Sequence, residues 1–166
     1  ILMGHALIAS YGGIPLVYMG DEIALLNDYG YHSVPDHAHD SRWLHRPRMD
    51  WDRVARAEAG TDAAAGQVLA GLRRIFARRA AVPELHAGNA TEVLQTGNAA
   101  LFVFARRAPT GSIVCVFNFT ETWTAIPASW AVQQGARNLR DMLSDAPVGD
   151  AGGVIPLPPY ARLWMR

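Results

Sequence analysis

The residues with the greatest capacity for chemistry crowd into one stretch, Asp36-His37-Ala38-His39-Asp40-Ser41-Arg42-Trp43-Leu44-His45-Arg46-Pro47. Guanidinium forks, carboxylates and aromatic faces are the groups a sugar site uses. They supply paired hydrogen bonds to neighbouring hydroxyls and stacking on the apolar face of the ring. The same residues also suit a large ordered loop pinned by internal Asp to Arg pairs, and the two uses are compatible. Asp36, His37, His39 and Asp40 have the chemistry of metal ligands. His-x-His on an irregular loop fixes no geometry, however, and no second cluster completes it, so no metal is assigned. A further pair, Asp21-Glu22, follows the apolar run that ends at Met19. Adjacent residues on an extended segment point apart, which suits the pair to anchoring loops rather than to acid–base work on one bond.

The elements that must position these groups can be read around them. Ile1 to Tyr11 is apolar at Leu2, Ala6 and Ala9 without strand alternation and meets Gly12-Gly13, a helix stop, so it reads as the tail of a buried helix. Ile14 to Met19 reads as a short strand apolar on both faces, as buried parallel strands are. Pro15 is tolerable at its first positions. In a β/α barrel the chemistry sits at the C-terminal ends of such strands, and Asp21 and Glu22 stand at that end. From Gly20 to about Gly60 no period is sustained, which predicts a long loop of the kind that is uncommon unless functional. Thr61 or Asp62 caps a helix reaching about Ala81, with Ala65, Val68, Leu69, Leu72, Ile75 and Phe76 on one face. Arg73, Arg74, Arg78 and Arg79 lie largely on the other face; the basic last turn complements the helix dipole, and Pro83 ends the helix.

After Glu84 the texture changes to short apolar or alternating runs: Thr91 to Gln95, Leu101 to Arg106, Ile113 to Phe119, Trp123 to Ile126 and Ala161 to Met165. Gly97-Asn98 and Pro109-Thr110-Gly111 are hairpin signals. This pattern predicts a small antiparallel sandwich, with a boundary near residues 82–90.

Composition narrows the function further. The chain has 166 residues, 50% hydrophobic, and a formal net charge of +0, so it is globular and has no electrostatic footprint for nucleic acid or an anionic membrane. The apolar start is interrupted by His5, Ser10, Gly12, Gly13 and Pro15, which spoils it as a membrane span, and it lacks the basic leader of a signal peptide. A soluble, cytoplasmic setting is favoured, although the lone Cys115, which reads as a buried small hydrophobe, leaves the redox compartment open. Asn89-Ala90-Thr91 and Asn118-Phe119-Thr120 match a glycosylation pattern that arises readily by chance, and the second ends an apolar strand. Phosphate-binding glycine loops, the Gly-x-Ser-x-Gly elbow and zinc-protease helices are absent. The start at Ile1, inside an apolar segment and without an initiator Met, suggests a fragment.

Gly13-Ile14-Pro15-Leu16-Val17-Tyr18-Met19-Gly20-Asp21-Glu22 resembles the eighth-strand segment of the α-amylase family of glycoside hydrolases and transglycosidases. Leu26-Asn27-Asp28-Tyr29, the run from His39 to Trp51, and Ala64-Ala65-Gly66 are similar to amylosucrases and the related sucrose hydrolases, and the similarity continues to the end of the chain. The resemblance implies an α/β plus all-β fold. Residues 1–83 would be the C-terminal end of a (β/α)8 barrel, its last strand and helices with a long loop after strand 8, and residues 84–166 an antiparallel β domain. A whole barrel takes roughly 250 residues, so one cannot fit here.

The activity implied is glucosyl transfer from sucrose to an α-1,4-glucan by retaining double displacement, releasing fructose. Two carboxyl groups about 5 Å apart are required for that chemistry. In the family they come from the fourth and fifth barrel strands, with a further Asp from the seventh, so no catalytic residue is assigned within this chain. Arg42 matches the family arginine that closes the glucosyl pocket by pairing with an Asp from an early strand, Asp40 would orient it, and Asp21 and Glu22 would support the rim. His45 and Arg46 match the family without an assigned role. No metal or organic cofactor is implied. The partners implied are sucrose and α-glucan, and the rest of the barrel or another chain to cover the exposed strand edge. Sucrose hydrolase is an alternative within the class. A noncatalytic carbohydrate-binding or structural module is an alternative of another class, with Trp123, Trp130 and Trp164 as a sugar platform or, more commonly, as core.

Overall fold

In the computed structural model, which describes residues 1–149 and 152–166, the five runs read beyond residue 89 pair into antiparallel strands, and three further short strands, Arg140–Asp141, Ala146–Pro147 and Val154–Leu157, join them. These are β1 (Ala90–Leu94), β2 (Leu101–Ala108), β3 (Gly111–Asn118), β4 (Thr124–Pro127), β5 (Arg140–Asp141), β6 (Ala146–Pro147), β7 (Val154–Leu157) and β8 (Arg162–Met165). The helices are α1 (Leu2–Tyr11), α2 (Trp51–Glu58), α3 (Ala63–Ala81) and α4 (Ala128–Gln133). The chain divides into two compact units, residue 1 with 17–72, and 2–16 with 73–166.

The larger unit is built on a six-stranded sheet in the order β1-β2-β3-β8-β5-β6 and a two-stranded sheet, β4-β7. Both hairpin signals fall where expected, between β1 and β2 and between β2 and β3. Side chains alternate faces along a strand, and here both faces are covered. Val103, Val114, Val116 and Met165 form one apolar core with Ile126, Ile155 and Leu157 of the smaller sheet. On the other face Tyr11 of α1 packs edge-on against Phe104, with ring centroids 5.1 Å apart, and Phe104 stacks on Phe117. Cys115 and Trp164 are wholly buried opposite one another in the β3–β8 ladder. Burial on two sides explains why the middle of β3 reads as a continuous apolar run.

Buried polar groups tie this unit together, because each must replace the hydrogen bonds it gave up to water. Arg106 is wholly buried and donates to the carbonyls of Ser10, His86 and Asn89. Arg79 of α3 donates to the Ala9 and Gly13 carbonyls, and Thr91 Oγ1 to that of Tyr11. The carbonyls at the end of α1, which have no partner inside the helix, are thus satisfied by three side chains. Arg78 donates to the Met142 carbonyl and pairs with Asp145. The basic last turn of α3 therefore binds neighbouring backbone as well as complementing its own dipole.

In the smaller unit Ile23, Ala57 and Ala65 are buried, with Leu25, Met49, Val54 and Leu69 packed on them. Asp62 caps α3, its Oδ1 accepting from Ala65 N at 3.0 Å. The long loop predicted over 20–60 instead contains three 3-10 turns, Asp21–Ile23, Tyr29–Ser33 and Ser41–His45, and the helix α2. The helix α2 has eight residues, barely two turns, which is shorter than the window over which a helical period can be recognised in sequence; it is stabilised locally by Asp50, whose carboxylate accepts from Arg53 N at 2.8 Å.

The strand expected over Ile14 to Met19 does not form. Residues 14–18 carry neither helix nor ladder pairing, and Ile14 is 91% and Leu16 72% exposed. A strand exists only through pairing that satisfies its backbone groups, and no described segment pairs with this one. In consequence Asp21 and Glu22 stand in a 3-10 turn and not at the end of a strand.

Candidate functional site

The loop unit positions its polar side chains through a succession of tight turns. At the first, Gly20 adopts φ 98° and is followed by the Asp21–Ile23 turn and by Ala24, also left-handed at φ 52°. A Cβ on Gly20 would stand 3.0 Å from two atoms of the Leu25 side chain, so both the conformation and the space call for glycine. Glu22 closes this turn by accepting from Gly20 N at 2.8 Å. Arg53 then reaches across, donating to the Ala24 carbonyl at 3.2 Å and to Asp62 at 3.0 Å. Asp62 thus serves two partners, and its carboxyl is lowered from the ordinary value first by the Ala65 amide and then by Arg53.

The next two turns share one design. Asp28 accepts from Gly30 N at 2.8 Å and Asp40 from Arg42 N at 3.0 Å, the local side-chain-to-backbone bond that aspartate favours at turn starts. A backbone bond from Asp28 N to the Leu44 carbonyl, 2.9 Å, fastens the turns to each other. His37 stacks on Trp43 with centroids 3.7 Å apart and planes 12° apart.

Arg42 lies at the centre of this arrangement. Its Nε is 2.8 and 3.0 Å from the two oxygens of Asp40, and its Nη2 is 2.7 Å from Oδ2. Asp40 takes one edge of the guanidinium in a fork, while the Arg42 side chain stays 70% exposed. Among the described residues no acceptor engages Nη1, which leaves hydrogen-bonding capacity for another group. Arg42 holds the Asp40 carboxyl down at about 2, and Asp40 raises the Arg42 guanidinium in turn. Tyr18, Arg42, His45 and Arg46 line a depression of about 270 Å³. His45 Nδ1 stands 3.2 Å from Asn27 Oδ1, a hydrogen bond when that nitrogen carries the proton. An aromatic face beside a fixed guanidinium and an imidazole suits a hydroxyl-rich ring.

Of the four site residues picked out from the sequence, Asp40 and Arg42 are brought together, whereas Asp21 and Glu22 are half-buried in their own turn and do not line this depression. Tyr18 and the Asn27–His45 pair were not picked out. Tyr18 lies in a run with the composition of a strand, and no local spacing reveals a pair separated by 18 positions. Among the described residues no three His, Cys, Asp or Glu side chains gather as a metal-binding group. Burial pushes the Cys115 thiol far up, so it is an inert core side chain. Asn118 is wholly buried, donating to the Thr122, Leu157 and Pro158 carbonyls and accepting from Thr120. Its amide is thus structural. Of the three tryptophans weighed as a platform, Trp164 is wholly buried, Trp130 packs against the core, and Trp123 is 69% exposed. No described helix is long and apolar enough to cross a membrane.

With this geometry in hand the fold can be placed. It includes a small antiparallel-sheet domain with few helices, and residues 91–166 match the family described as amylosucrase, C-terminal domain. Among solved structures, AmyP in complex with maltose is 16% identical with a TM-score of 0.70, over 99% of this chain and 33% of that one. A MutB mutant in complex with the substrate sucrose is 15% identical with a TM-score of 0.65, over 99% and 38%. The ligand-free cyclic α-maltosyl-(1→6)-maltose hydrolase from Arthrobacter globiformis is 20% identical with a TM-score of 0.64, over 99% and 29%. The chain therefore spans between 29% and 38% of the length of these structures, and the likeness is one of fold.

Proposed function

We propose that these residues are the C-terminal portion of a sucrose-acting retaining α-glucosyltransferase, with the end of a (β/α)8 barrel in 1–83 and the β domain in 84–166. The observation that carries the reading is the match of residues 91–166 to the amylosucrase C-terminal domain, joined upstream by the Arg42–Asp40 fork. Neighbours of the same fold hold maltose and sucrose, which favours an α-glucoside as substrate. The exposed apolar side chains of Ile14, Leu16 and Met19 support a segment that other strands of the enzyme cover, since contiguous exposed apolar residues mark a contact surface.

In this reading Arg42 offers its remaining edge to a carboxylate of another strand and closes the floor of a pocket for a terminal glucosyl unit. Asp40 fixes the guanidinium plane, and Asp21 and Glu22 hold the rim loop. A nucleophilic Asp and an acid Glu elsewhere in the polypeptide carry out the displacement, with sucrose and the growing α-glucan as partners, no metal or organic cofactor, and a cytoplasmic setting. Incubation with sucrose tests the proposal. The complete polypeptide containing these residues is expected to release fructose and lengthen an α-1,4-glucan, while the 166-residue chain alone releases neither sugar. Starch cleavage with sucrose left untouched would overturn the substrate, and turnover by the chain alone would overturn the division of labour.

A further inference from the structure

His45 lines the depression beside Arg42, and its neighbours decide which of its ring nitrogens a ligand can meet. Nδ1 stands 3.2 Å from Asn27 Oδ1. An amide oxygen only accepts, so this contact requires the proton on Nδ1 and leaves Nε2 of the neutral ring bare. The backbone on either side of the pair is held as well. Asp28 N donates to the Leu44 carbonyl at 2.9 Å, and Arg46 N closes the turn by donating to the Trp43 carbonyl at 3.1 Å. His45 is thus exposed to solvent and yet tethered through both its side chain and its turn.

The other groups at this place make an acceptor scarce. The guanidiniums of Arg42 and Arg46 only donate. Asp40 is spent on Arg42: Oδ1 accepts from its amide and Nε, and Oδ2 from its Nε and Nη2, all at 2.7–3.0 Å, which fills the four lone-pair directions of a carboxylate. A hydroxyl that accepts from a guanidinium still has its own hydrogen to place, and a hydrogen left unpaired away from water forfeits the gain. Beside the Tyr18 phenol, the bare Nε2 of His45 is the side-chain acceptor left among the lining residues. We infer that His45 Nε2 accepts from a hydroxyl of the substrate, with Asn27 as the positioning residue that keeps this nitrogen unprotonated. The assignment rests on the proposed α-glucoside reading of the site and adds an acceptor to the donors of Arg42.

Two measurements test it. In the ¹⁵N-labelled chain, at a pH where the ring is neutral, the ring nitrogen shifts of His45, assigned against His45→Asn, should report a protonated Nδ1 and a bare Nε2. Asn27→Ala should let the proton redistribute between them. In the complete polypeptide, His45→Asn should lower kcat/KM for sucrose by about fivefold or more, the scale of one net hydrogen bond. His45→Gln carries an amide oxygen to about the place of Nε2 and should retain most of the activity. Among sucrose analogues that each lack one glucosyl hydroxyl, one should show no further loss in His45→Asn, a coupling that a merely structural change would not produce. A bare Nδ1, an unchanged tautomer in Asn27→Ala, equal losses in His45→Gln and His45→Asn, or a loss in Arg42→Ala with none in His45→Asn would overturn this assignment and leave the reading of Arg42 standing. Undiminished turnover in Arg42→Ala would overturn both.

Discussion

The two compact units solve the same problem by opposite means. The sheet unit is held by burial: Trp164, Phe104, Phe117, Val114 and Cys115 are wholly shielded, and its polar interior groups, Arg106 and Asn118, are pinned by several backbone carbonyls each. The loop unit has a small apolar cluster around Ile23 and is otherwise shaped by short-range aspartate turns and the Arg53 and Arg42 ion pairs. Burial gives rigidity that no single surface charge decides. Local capping leaves side chains such as Arg42 exposed and oriented, which is what a binding site requires.

That contrast can be broken from the sheet side first. Trp164→Ala removes the largest fully buried side chain of the sheet unit, with an expected loss of about 3–5 kcal/mol in denaturant unfolding; a loss below about 1 kcal/mol would mean that the sheet unit does not rest on burial. Asn118→Ala strands carbonyls of Thr122, Leu157 and Pro158 and should cost about 2–3 kcal/mol, whereas a neutral result would show those carbonyls finding other donors. In the loop unit Arg53→Ala cuts the link between the Ala24 carbonyl and the α3 cap. The expected cost is about 1 kcal/mol, with faster amide exchange over residues 20–25 as the more sensitive readout. An effect as large as that of Trp164→Ala would erase the distinction between the units.

Titration sharpens the comparison at its finest grain. The Asp40 carboxyl sits at about 2 in the folded chain, against about 3.9 for an unperturbed aspartate. Its contribution to the turn is therefore fully present above about pH 4 and fades as the pH falls toward 2. Carboxyl-carbon NMR should show the depressed midpoint, and it should return to the ordinary value in Arg42→Ala. An ordinary midpoint in the unmodified chain would show that the fork does not persist in solution.

How much of this could be read from the residues differs between the units for the same physical reason. The hairpin strands β1 to β3 announce themselves through alternation and through Gly97-Asn98 and Pro109-Thr110-Gly111, because their pairing is local in sequence; β5, β6, β7 and α4, of two to six residues each, are too short to show a period. The cap of α3 was legible to within two neighbours, Thr61 or Asp62, of which Asp62 supplies it. Ile14 to Met19 has the composition of a strand, but pairing is a property of neighbours, and composition cannot supply them. Nothing local to β2 marks Arg106 as buried; its burial follows in part from the α1 carbonyl it serves, that of Ser10, separated from it by 96 positions. In the loop unit the polar side chains were visible as a crowd of residue types, and the Arg42–Asp40 pair as one of the internal Asp to Arg pairs such a loop could hold. The turns that aim them were not, since an aspartate two positions before an amide carries no longer-range period.

The proposed role of Arg42 as the floor of a glucosyl pocket is read most directly in kcat/KM for sucrose in the complete polypeptide. Arg42→Ala should lower that ratio by roughly 100-fold, the scale of a lost charged hydrogen bond. Arg42→Lys should recover little, because an ammonium cannot reproduce the two-edged fork. The melting temperature should fall in Arg42→Ala by no more than the small share of an exposed ion pair, too little to account for the loss of turnover. Sucrose turnover undiminished in Arg42→Ala would contradict the account.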